Sequence, residues 1–161
     1  MKAWIAAATL AALTLPAAAQ DAAAPAAGDV KIEPPKAAHD YGFAGLMARD
    51  NRTDLPPLTL SSGKPVAEGI YKLKSGTYYR IDITSDGTAE LALSGGDFFR
   101  AIWINEIVIE EIEIRPMGVH SIEFDKAGTA HMSFIAIVPG TYILSIPGSH
   151  SDSQTATFVI Q

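Results

Sequence analysis

The sequence predicts an all-β sandwich, and three observations carry the prediction. Turn-forming residues recur about every ten positions from residue 58 onward, the spacing expected of a sandwich or barrel. The runs between them are rich in β-branched and aromatic residues, which favour strand. Residues 78–84 (YYRIDIT) alternate cleanly, with Tyr79, Ile81 and Ile83 on one face and Tyr78, Arg80 and Asp82 on the other. That is the pattern of a strand with one face in a core. Almost nothing after residue 58 has helical periodicity.

Residues 1–19 read as an export leader. Lys2 supplies the positive start, 3–15 are apolar, and Pro16 precedes Ala17-Ala18-Ala19, an A-x-A cleavage pattern. The apolar run is short for a bilayer span, so cleavage and release to the periplasm are expected, with no membrane anchor left after cleavage. Residues 20–54 read as an Ala/Pro-rich flexible linker. Within it Tyr41, Phe43, Leu46 and Met47 could form one amphipathic turn that docks on the domain, because so short a helix is marginal alone. The folded domain is expected over 55–161. The formal net charge is −6, with no cysteine in 161 residues. An acidic chain is a poor partner for nucleic acid or anionic membrane. The lack of Cys removes disulfides, thiolate ligands and cysteine nucleophiles.

Within the domain, residues 58–60 and 70–73 form short strands and 78–84 a longer one. Asp86-Gly87 is a strong hairpin signal, leading into a strand over 90–93. Residues 98–115 are read as strand throughout on β-branched content. Their apolar pairs Ile102/Ile104, Ile107/Ile109 and Ile112/Ile114 restart every five residues. A straight strand would flip successive pairs, so bulges or turns are expected near Asn105-Glu106 and Glu110-Glu111. After Pro116-Met117-Gly118 the final run, 119–160, holds three strands.

That final run carries a resemblance. His120-Ser121-Ile122-Glu123-Phe124-Asp125 has the spacing of the plastocyanin-like motif His-Asn-x-x-Phe-Asp. Pro139-Gly140-Thr141-Tyr142, Pro147-Gly148 and the terminal Phe158-Val159-Ile160 continue the likeness. The chain therefore resembles the cupredoxins, over about 45 residues clearly and more loosely from Tyr71. The resemblance implies a Greek-key sandwich of seven or eight strands and a copper site. Carried over residue by residue, the first ligand falls on His120, the cysteine on Ile146, the second histidine on Ser149 (His150 lies one further), and the axial ligand on Gln154. Without a thiolate the trigonal His₂Cys centre cannot form.

Several side-chain sets remain as candidates. His120, His150 and Gln154, with His131 or Met132 beside them, form one set for copper or zinc, since imidazole suits both; the competing reading is surface histidines and no cofactor. Gly76-Thr77-Tyr78-Tyr79-Arg80 echoes Gly96-Asp97-Phe98-Phe99-Arg100. If both are strands, Tyr78 shares a face with Arg80 and Phe98 with Arg100. With Trp103 these make a binding surface for a carboxylate or a protein partner; the plainer reading is cross-strand charge pairing. The glutamates at 106, 110, 111, 113 and 123 read as protection of an exposed sheet edge. No hydrolase, metalloprotease or phosphate-loop motif is present, so the chain is expected not to be an enzyme. The expected function is an exported cupredoxin-like module that binds a periplasmic protein partner, with copper or zinc handling as the alternative.

Overall fold

A computed structural model describes residues 28–35, 40 and 42–161. The leader read over 1–19 lies outside them, as do Tyr41 and most of the Ala-rich linker. In chain order the strands are β1 (Thr53–Asp54), β2 (Leu58–Leu60), β3 (Tyr71–Leu73), β4 (Tyr78–Ser85) and β5 (Leu91–Ser94). A helix, α1 (Gly96–Ala101), precedes β6 (Ile102–Ile109) and β7 (Ile112–Ile114). The chain ends with β8 (Ser121–Phe124), β9 (Gly128–Ala136), β10 (Gly140–Ser145) and β11 (Thr155–Ile160). Among the described residues the sandwich thus has eleven strands rather than seven or eight, because the edges are broken into pieces of two or three residues.

The first sheet runs β1-β4-β9-β6-β7, and β2 also pairs with β4. Both β1 and β2 lie parallel to β4, at Tyr79–Arg80 and at Ile83–Ser85. Pro56-Pro57 interrupts this edge, as expected of residues that break a ladder. The second sheet runs β3-β11-β10-β5-β8. The expected alternation holds in β4: Tyr79, Ile81 and Ile83 are buried between the sheets. Across β9 the inward set is Ala130, Met132, Phe134 and Ala136, all fully buried. An aromatic chain ties the layers together. Tyr71 stacks on Phe158 with ring centroids 4.7 Å apart, and Phe98 meets Phe158 at 4.3 Å and Phe134 at 5.9 Å.

Three expectations are corrected. The segment read as strand from residue 98 begins as α1, so the two Gly-x-aromatic-aromatic-Arg runs are not equivalent strands. Phe98, Phe99 and Ala101 are all buried on this helix. Asp86-Gly87 is not a hairpin turn, since β4 and β5 belong to different sheets; it carries the chain across the sandwich. Gly87 has φ 72°, and a Cβ there would sit 2.7 Å from the Ala127 nitrogen, so glycine answers to a close approach as well as a positive φ. The described part of the segment read as linker, residues 28–35, also joins the fold. Asp29 bridges Ile70, Val30 N–H donates to Ile70 O at 2.9 Å, and Val30 and Ile32 pack against the core.

The irregularities expected in β6–β7 are present. The β6–β9 register shifts between Ile104 and Glu106, and Glu110 takes φ 54° in the turn to β7. The amphipathic turn is a 3₁₀ turn over Gly42–Gly45. It docks through buried Gly45 and half-buried Leu46, whereas Phe43 and Met47 face solvent.

Candidate functional site

Strand directions define two ends. Ser94 pairs with both Ser121 and Ser145. The chain before Ser121 therefore lies beside Gly95, while β10 leaves Ser145 in the opposite direction. The Gly95 end collects α1, the start of β6, the end of β9 and the start of β10. There a groove of about 620 Å³ is lined by Gly95, Gly96, Arg100, Val138, Tyr142 and Ile143, among others. Large apolar side chains are exposed at this end: Trp103 at 48%, Ile137 and Val138 at 47%, and Ile143 at 54%. Ile137 N–H and Val138 N–H both donate to Ala101 O, which holds the turn after β9 against α1.

The predicted binding set divides here. Arg100 and Trp103 come to the same end, Arg100 in the groove wall and Trp103 on the outer face of β6, opposite Ile135. Arg100 donates to Asp97 at 3.0 Å, with both side chains largely in solvent, a pairing that contributes little to stability. Phe98 does not reach the surface; it is fully buried in the core. Tyr78 is also buried, and its hydroxyl accepts from Asn105 Nδ2. Arg80 lies on the outer face of the first sheet. Its Nε is 3.3 Å from Asp82 Oδ1 and its Nη2 is 2.9 Å from His131 Nδ1. Sequence reading missed Val138, in the turn between β9 and β10, and Ile143, on the outer face of β10 beside buried Leu144, because an apolar run carries no mark of which of its residues stay uncovered.

The histidine set is not brought together. His120 sits at the Gly95 end, exposed, with Nδ1 3.5 Å from Ser94 Oγ. The point a Cβ on Gly96 would occupy is 3.5 Å from His120 Nε2 and 3.7 Å from Arg100 Nη2. His150 is exposed in the loop leaving β10 the other way. Gln154 is at that second end too, its Nε2 donating to Lys64 O at 2.7 Å. Met132 is fully buried while the next residue back, His131, points outward to Asp82; neighbours on one strand face opposite sides. Ile146, where the resemblance places the thiolate, packs in the core. Among the described residues no three His, Asp or Glu side chains gather as a metal-holding group. The donor set does not fit a copper centre of the kind the resemblance implies.

No family model matches the sequence, and no curated protein matches it. Solved structures of similar shape include a multi-copper oxidase from Pseudomonas thermotolerans, with TM-score 0.47 and 14% identity over 69% of this chain and 30% of that one. A second multicopper oxidase gives TM-score 0.48 and 8% identity over 70% of this chain and 44% of that one. The copper nitrite reductase from Nitrosomonas europaea gives 0.46 and 18% over 58% and 33%. This chain spans less than half the length of each. At TM-scores below 0.5 these likenesses carry no argument about copper or catalysis in this chain.

Proposed function

We propose that this chain is an exported β-sandwich module, without a blue-copper centre and without catalysis of its own, that binds a protein partner through the Gly95 end. The carrying observation is the set of apolar side chains exposed there, Trp103, Ile137, Val138 and Ile143, of which Val138 and Ile143 line the Arg100 groove. Apolar surface rimmed by polar groups marks contact sites, and Trp and Arg dominate the energetics of protein interfaces. Export is supported by the leader pattern at the N-terminus. The absence of cysteine and the separation of His120 from His150 favour this reading over metal handling.

The test uses the mature chain as bait in periplasmic extract, with captured proteins identified and affinity measured on the purified partner. Trp103→Ala and Ile143→Asp are each expected to weaken binding about 30-fold or more, the effect of losing an interface anchor of about 2 kcal/mol. Partners retained at unchanged affinity by the double variant would overturn the surface.

A further inference from the structure

Three of the chain's five arginines border one small pocket on the outer face of the first sheet, away from the Gly95 end. The pocket has a volume of about 200 Å³, and its lining includes Arg49, Arg52, Arg80, Glu106, Val108 and His131. Two banks form it. Arg49 and Arg52 come from the segment just before β1, and Arg80 and His131 from the sheet.

The guanidiniums are held so that their outer ends stay free. Arg52 is only 17% exposed, and its Nε lies 3.1 Å from Asp54 Oδ1. Neither of its Nη atoms bonds a described residue, yet no sealed side-chain nitrogen lacks a partner among those residues. The two Nη groups therefore open onto solvent-filled space. Arg80 is oriented in the same way, with Nε toward Asp82. His131 Nδ1 lies 2.7 Å from Asp82 Oδ1 and 2.9 Å from Arg80 Nη2. A ring nitrogen cannot donate to one and accept from the other at once. Whichever of the two the ring takes up, Arg80 Nη2 carries two N–H groups, so at least one donor remains beyond the one facing the ring. The Arg49 side chain makes no hydrogen bond or ion pair with a described residue, its backbone carbonyl alone accepting from Arg52 N–H at 3.2 Å. The one lining carboxylate, Glu106, is answered by Arg115 at 3.3 Å.

Unspent guanidinium forks on two sides of a pocket match a ligand with a carboxylate at each end, because the fork pairs bidentately with a planar carboxylate. Val108 offers apolar contact for a short carbon link. The volume lies below the range of drug-sized sites, which limits the ligand to a few carbons. We propose that this pocket binds a small dicarboxylate, a site separate from the partner surface above.

The experiment is calorimetric titration of the mature chain at low ionic strength with malonate and succinate, and with acetate and inorganic phosphate as comparators. One dicarboxylate is expected to bind with Kd on the order of millimolar or tighter, and acetate at least roughly tenfold more weakly, having one end only. Arg49→Gln, a solvent-facing change, is expected to weaken the dicarboxylate roughly tenfold or more. Arg52→Lys keeps the charge and loses the fork, and is expected to weaken it similarly while the melting temperature stays within a few degrees. Lys126→Gln, an equal loss of charge at an exposed residue outside the pocket lining, should bind as the parent does. Absence of dicarboxylate binding, phosphate binding as tightly, or full binding by Arg49→Gln would each overturn the proposal.

Discussion

At the turn leaving β4, Asp86 accepts hydrogen bonds from the buried Ser61 hydroxyl and from the Thr88 hydroxyl and amide, with Lys64 3.6 Å away. The Ser61 bond, then those from Thr88, hold its carboxyl well below the usual carboxylate range, because hydrogen bonds to the charged form favour it. A depressed folded pKa contributes stability that is complete above the unfolded value of about 3.9 and is lost as pH falls toward the folded one. The stability deficit of Asp86→Ala in urea titrations should therefore be largest above about pH 5 and shrink steadily below pH 4. A deficit independent of pH would show that the loss lies only in the orphaned Ser61 hydroxyl. The Pro-Gly-Thr-Tyr run is also explained at this scale, without metal. Gly140 has φ 155°, and a Cβ there would meet the Tyr142 hydroxyl at 2.8 Å. That hydroxyl donates back to Val138 O at 3.1 Å and fastens the turn between β9 and β10. The motif was legible because its residues serve the backbone.

Among the elements, β4 was readable from its period-two pattern, since one face meets the core along its whole length. The bulge at Asn105 and the turn at Glu110 were readable because the isoleucine pairs would otherwise change faces. Helix α1 was not, because six residues are too few for a 3.6-residue period to show against the β-rich context. A local signal did exist: Gly96–Ala101 contains no β-branched residue, whereas β6 begins at Ile102 with five among its eight. The candidate sites were less legible than the fold. Arg100 and Trp103 were found, but the opening near β10 depends on β5 pairing with it only at Ser145, and no sequence pattern reports such a gap. Phe98 illustrates the consequence for energetics. It was read as a surface aromatic, yet it plugs the space between Phe134 of one sheet and Phe158 of the other. Phe98→Ala should cost about 3–5 kcal/mol in equilibrium unfolding, the range for truncating a fully buried aromatic. A loss under about 1 kcal/mol, the scale of a typical surface substitution, would place the ring outside the core.

For the whole molecule, the question is where the folded unit begins. The outer face of the first sheet holds Tyr78, Asn105 and Ser133, all buried, although the second sheet lies on the other side. Asn105 Nδ2 donates to the Tyr78 and Ser133 hydroxyls, and its Oδ1 accepts from Arg115 at 2.9 Å. The segment over 42–52 borders this network: Leu46 and Asn51 lie beside Tyr78, and Arg49 and Arg52 beside Ser133. Buried polar groups satisfied in this way hold one arrangement, and uncovering them gives water a route in. Farther upstream, Asp29 pairs with Lys72 at 2.7 Å, and Val30 and Ile32 cover part of the core. Chains starting at residues 20, 36 and 53 separate these contributions. Starting at 36 removes two half-buried aliphatic side chains and the Asp29–Ile70 bridge. The expected loss is about 1–2 kcal/mol, or roughly 4–15 °C in Tm for a domain of this size, with faster amide exchange at Ile70. Starting at 53 should cost at least as much again, because Tyr78, Asn105 and Ser133 become accessible. Equal melting temperatures for all three chains would make residues 20–52 a tether, as composition alone implies. A stepwise loss makes them part of the sandwich, because the outer face of the first sheet is stable only when covered.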